Sequence, residues 1–167
     1  MSTELGTVDT FINADIDEVV RFLMDLRQVR RYAFGKEQEI EVDYLSRTKM
    51  RVYNPLVKSE TICENSLVRN DEVAVIQHSS VVTETGIGWK VFLMCTDFGE
   101  QTHVLFGWYN TPEIKEFMCE THGWEEFDPE FVEKEVALEE LMIIKNLLEN
   151  REGGGAAADH EVAAGNA

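Results

Sequence analysis

The sequence is poor in positive charge: 15 Lys and Arg stand against 32 Asp and Glu, a net charge of −17 over 167 residues. Neutralising phosphates needs clustered cations, so composition argues against nucleic-acid binding. The same imbalance opposes docking on anionic membranes and leaves at most transient membrane contact. It suits solubility, or a basic protein partner. Long apolar runs are missing as well. Nothing approaches the roughly 18 residues of a spanning helix. The opening "MSTELGTVD" has no basic segment leading into an apolar one, as a secretory signal would. Cysteine is scarce: Cys63, Cys95 and Cys119 are far apart and odd in number. Buried, reduced thiols in a cytoplasmic protein are expected rather than a disulfide framework. Cys119 and His122 make a C-x-x-H half-motif, but no second pair follows to complete the four ligands of a structural zinc site. Neither a metal nor a cofactor is therefore expected. Phosphate-cradling glycine loops, a G-x-S-x-G elbow and H-E-x-x-H are also lacking, so no catalytic set is assigned.

What remains is material for one globular domain, with 44% hydrophobic residues. The domain is expected over residues 6–150, after a flexible N-terminus (1–5) and before a low-complexity tail (151–167) rich in Gly and Ala. "GTVDTFI" (Gly6 to Ile12) alternates as a short strand does. Asp15 then stands at a helix cap with Glu18 three residues on, followed by Ile16, Val19, Val20, Leu23 and Leu26 at helical spacing. This helix is expected to support the sheet rather than touch a ligand. Strand candidates follow in "QEIEVDYL", "TKMRVY", "SETICENSLV" and "EVAVIQHSSVV". The clearest pair is the hairpin from Trp89 to Tyr109, closing near Phe98-Gly99, with Val91 expected opposite Phe106 and Leu93 opposite Val104. Apolar groups on both its faces imply a sheet covered on both, or one that bounds a cavity. Thr111-Pro112 begins a short helix ending near Gly123. Asp128-Pro129 begins a long one whose stripe is read as Phe131, Leu138, Leu141, Ile144 and Leu148, widened by Ala137 and Met142. The acidic set from Glu125 to Glu140 reads as that helix's cap and solvated face. The order is strand, helices, antiparallel strands, long helix, with no βαβ alternation, which makes the fold α+β.

That order resembles the helix-grip fold of the START and START-like superfamily, a curved antiparallel sheet wrapped around a long C-terminal helix. "NADIDEVVRFLMDL" looks like the family's opening strand and helix, closed by Asp25, and Tyr32 falls where START domains often carry a tryptophan. "LVRNDEVAVIQHSS" is similar to the family's "RDF" strand opening, with Asn70 between Arg69 and Asp71. "GIGWKVFLMC" resembles the glycine-led strand that follows, and the helix from Pro129 to Asn150 stands in the place of the lid helix. The resemblance implies a pocket between sheet and helix for a lipid, sterol or other apolar molecule. Its expected lining is Ile76 and His78, then Trp89, Val91 and Leu93, then Val104, Phe106 and Trp108, and Leu138, Leu141 and Met142 from the helix. The aromatics Trp89, Phe106 and Trp108 could equally fill a closed core, and His78 could be an ordinary hydrogen-bonded residue. Three functions stay open at this point: a non-enzymatic carrier or sensor of a hydrophobic ligand, an interaction module with a filled core, and a cyclase or isomerase with His78 or an acidic residue as base.

Overall fold

The computed structural model describes residues 2–33 and 39–150. The expected tail, 151–167, lies outside the described residues. Strand β1 (Glu4–Ile12) begins two residues before the expected Gly6. Helices α1 (Ile16–Met24) and α2 (Leu26–Tyr32) follow, then β2 (Glu41–Tyr44), β3 (Lys49–Asn54), β4 (Ser59–Arg69), β5 (Val73–Val82), β6 (Gly88–Phe98) and β7 (Gln101–Asn110). Helix α3 (Pro112–His122) leads to the C-terminal helix, which runs as α4 (Pro129–Phe131), a π-helical segment (Val132–Leu138) and α5 (Glu139–Glu149). The strands form one antiparallel sheet in the order β1-β7-β6-β5-β4-β3-β2. The fold is the expected α+β helix-grip.

Local chemistry sets the boundaries. The Asp15 carboxylate accepts from the Glu18 N–H and starts α1; the Asp25 carboxylate accepts from the Arg27 N–H and starts α2. Thr111 caps α3, and Gly123 ends it at φ 69°, a left-handed conformation that glycine adopts without a Cβ penalty. Pro55, which lacks an N–H to donate, falls just past the end of β3 in the turn to β4.

The β6–β7 hairpin pairs Phe98 with Gln101, so Val91 faces Trp108 and Leu93 faces Phe106. This is a two-residue shift from the expected pairing. It comes from the turn lying at Gly99-Glu100, one residue later than read. An even shift leaves every side chain on its expected face. On the inner face Val8, Ala74, Ile76, Leu93, Cys95, Val104 and Phe106 pack against α1 and the C-terminal helix. Leu26 and Val29 of α2 close a smaller cluster with Met50, Val52 and Cys63.

The C-terminal helix departs from the sequence reading in a specific way. Its buried positions are Val132, Ala137, Leu141, Ile144 and Leu148. The gap of five between the first two is the mark of a π turn, which inserts one residue and rotates everything upstream by roughly 100°. Leu138, expected in the stripe, is 37% exposed.

Gly6 stands opposite Trp108. A Cβ on Gly6 would lie 2.2 Å from the Trp108 ring. Gly6→Ala is therefore expected to push the indole inward and cost about 1–3 kcal/mol, read by urea unfolding. Gly107, opposite Phe92 on the outer face, is equally tight at 2.1 Å. Gly107→Ala should destabilise without altering the inner face.

Candidate functional site

A cavity of about 470 Å³ lies between the inner face of the sheet and the C-terminal helix. Strand pairing explains where it stops. Asn65, His78, Val91, Trp108 and Gly6 form one row across β4, β5, β6, β7 and β1. The next row on one side holds Cys63, Ser80 and Trp89. In the other direction come Ile76, Leu93 and Phe106, and then Ala74, Cys95 and Val104. The last row is fully buried and forms the packed floor. Ile114 and Met118 of α3 cover the other end, while Val29, Tyr32 and Ala33 close the side.

Of the residues expected at a pocket, Ile76, His78, Trp89, Val91, Leu93, Phe106 and Trp108 line this cavity. Val104 sits one row too deep and is 0% exposed. Leu141 is likewise shut into the core, Leu138 faces outward, and Met142 is half-buried away from the cavity. The helix lines the wall with Val132, Val136, Ala137 and Glu140 instead: Ala137 and Glu140 flank the Leu141–Ile144–Leu148 stripe at α-helical spacing, and the π turn sets Val132 five residues before Ala137. Sequence reading also missed Leu23, Val29 and Tyr32, because α1 and α2 contribute to the wall as well as to the support of the sheet.

His78 is held at both ring nitrogens. Its Nδ1 lies 2.5 Å from Asn65 Oδ1, and its Nε2 lies 3.2 Å from Ser80 Oγ. The Asn65 amide donates to the Leu23 carbonyl at 3.4 Å, which leaves Asn65 Oδ1 as an acceptor. Nδ1 of His78 must then carry the proton, and Nε2 accepts from the Ser80 hydroxyl. Ser80 Oγ in turn meets Cys63 Sγ at 3.5 Å. Burial pushes the imidazole down to about 4, so it is neutral at physiological pH. Burial also raises the thiols, Cys95 to about 12, which makes both inner-face cysteines poor nucleophiles.

Glu140 is the acidic group of the wall. Burial pushes its carboxyl up to about 8, with no hydrogen bond or counter-charge among the described residues to offset it. Tyr32 is close enough to feel that charge, and its phenol is raised above the ordinary range by burial first and by Glu140 second. The sequence places Glu140 on a solvated acidic face; in the structure it stands three residues after Ala137 and four before Ile144, at the edge of the buried stripe. Asn110, 5% exposed, completes the polar part of the lining. The other two histidines among the described residues lie elsewhere. His103 pairs with Asp9 at 2.8 Å on the outer face, and His122 stacks on Trp124.

No protein-family model and no curated protein matches the sequence. Solved structures do match in fold. The Zhui aromatase/cyclase from Streptomyces sp. R1128 is 11% identical, covers 90% of this chain and 96% of its own, and superposes with a TM-score of 0.53. A norcoclaurine synthase from Thalictrum flavum, in complex with a transition-state analogue, is 13% identical over 90% of this chain and 97% of that one, with a TM-score of 0.51. Aha1 from Colwellia psychrerythraea, a dimer, is 14% identical over 89% and 97%, with a TM-score of 0.50. At these identities the likeness carries the fold.

Proposed function

We propose that the chain is a START-like domain that binds a small hydrophobic molecule between its sheet and its C-terminal helix, and carries or senses it without chemical change. The observation that carries this reading is the 470 Å³ left open above a fully packed floor. That volume is typical of small-molecule sites, roughly 300–1,000 Å³. An apolar wall with a few convergent polar groups is the usual composition of such a site. Affinity would come from desolvation, at roughly 25 cal/mol per Å² of apolar surface removed from water. A filled core, which the interaction-module reading requires, does not accord with this space. The acidic exterior still supports a basic protein partner as an additional contact.

The test is direct binding of an uncharged fluorophore, N-phenyl-1-naphthylamine, together with solvent extraction and mass spectrometry of the purified protein. Ala137 is 2% exposed and lines the cavity. Ala137→Phe should weaken fluorophore binding by about 10-fold or more, since overfilling excludes the guest. Leu138→Phe, one residue along and facing out, should leave binding unchanged. No fluorophore uptake and no extractable apolar compound would end this reading.

The hydrogen-bonded His78 on the cavity wall favours a second reading, a proton-transferring enzyme of the cyclase or isomerase sort. An imidazole pushed down to about 4 is a weak base at neutral pH. Its two fixed bonds suit holding a ligand hydroxyl better than taking its proton. Turnover abolished in His78→Ala would reverse that preference.

A further inference from the structure

We propose that the molecule held in this cavity is a hydrophobic amine, its ammonium group paired with the Glu140 carboxylate and its apolar body lying against the sheet. The inference rests on the ligand-binding function just proposed and names the class of ligand. The lining carries one carboxyl, Glu140, and no inward-facing cation. Lys90 borders the cavity through its backbone, because strand alternation sends its exposed side chain to the outer face. His78 is neutral and both of its nitrogens are engaged. Among the described residues, then, a bound carboxylate or phosphate would find no positive partner inside. It would also enter against a net charge of −17.

An ammonium group meets the opposite situation. Among the described residues the carboxyl of Glu140 has neither a hydrogen bond nor an ion pair, and burial disfavours its charge. An ammonium ion arriving beside it supplies the counter-charge that lets the carboxyl release its proton, and the two form an ion pair. Aromatic rings surround the same space. Tyr32 lies near Glu140, while Trp89, Phe106 and Trp108 line the sheet side, and ring faces attract ammonium ions once water is excluded. The acidic exterior draws cations towards the cavity from a distance. The open volume, about 470 Å³, takes an aryl or multi-ring body.

The test compares three probes on one hydrocarbon frame by calorimetric titration at pH 7: 2-(2-naphthyl)ethylamine, 2-(2-naphthyl)ethanol and 2-naphthylacetate. The amine should bind about 10-fold tighter than the alcohol, and the carboxylate weaker than either. Glu140→Gln, which keeps the shape and removes the charge, should lower amine affinity by about 10-fold while leaving the alcohol within about 3-fold. Glu140→Leu gives a second, independent reading of the same loss, with circular dichroism confirming the fold of both variants. Equal binding of amine and alcohol to the unaltered protein overturns the amine assignment and leaves the apolar-ligand function standing. So does an amine affinity that neither variant changes. Failure of all three probes to bind overturns both.

Discussion

Leu141→Ala is expected to remove about 3–5 kcal/mol of stability, while Leu138→Ala changes it by less than about 0.5 kcal/mol. The two leucines differ by three positions on one helix, and an unbroken α-helical stripe would bury both. Leu141 is 0% exposed, and α5 packs on β1 and α2. Truncation there removes buried methylene contacts and leaves a void that neighbours on sheet and helix cannot both fill. Leu138, the last residue of the π-helical segment, lies on the solvent side, 37% exposed, and has little to lose. Urea unfolding of the two variants separates the cases. Equal losses would mean that Leu138 packs into the core as Leu141 does, and the placement of Ala137 would fall with it.

A second large effect concerns pH. The folded-state value of Glu140, about 8, exceeds the ordinary 4.5. The native state thus holds a proton that the unfolded chain releases. The resulting stabilisation is complete below about pH 4.5 and is lost as pH rises through 8. His78 works in the other sense: its folded value, about 4, lies below the ordinary 6.5. Its stabilisation is present above about pH 6.5 and lost as pH falls through 4. Each group contributes a slope of about 1.4 kcal/mol per pH unit within its window. From pH 4.5 to 6.5 the two slopes oppose and cancel. From 6.5 to 8 only the loss from Glu140 remains, with Tyr32 on the facing helix still protonated. Glu140→Gln should therefore be more stable than the parent at pH 8 by roughly 2–4 kcal/mol, with the difference shrinking to near zero by pH 5. Chemical denaturation at five or six pH values measures this difference directly. A constant difference between the two proteins would place Glu140 in water.

Different parts of the molecule were legible to different degrees. The faces of the β6–β7 hairpin could be read because strand alternation has period two, and even a misjudged turn left Val91, Leu93, Phe106 and Trp108 together. The caps at Asp15, Thr111 and Asp128 could be read because a side-chain oxygen must meet a nearby N–H, a local requirement. The helix lining could not. Which side of the Leu141–Ile144–Leu148 stripe borders the cavity is set by packing: Ala137 and Glu140 lie on that side, Leu138 and Met142 on the other, and the π turn fixes the position of Val132. The chain Asn65–His78–Ser80 was half visible: His78 was singled out, but its partner Asn65 arrives from a neighbouring strand. Only the cross-strand register reveals such pairs.

The sheet's order also bears on how the chain comes into being. Strand β1, the first made, pairs with β7, the last, so that Glu4 meets Asn110. During synthesis at roughly 5–20 residues per second, β1 waits on the order of 5–20 s for that partner. Its nine residues keep an unpaired edge throughout. The contacts that eventually secure the N-terminal end come later still: Lys145 donates to the Phe11 carbonyl, and the Asn13 N–H reaches Glu149. Closure of the sheet and seating of the final helix thus depend on the same early segment, which makes the joining of the chain's two ends the slow, non-local step of folding.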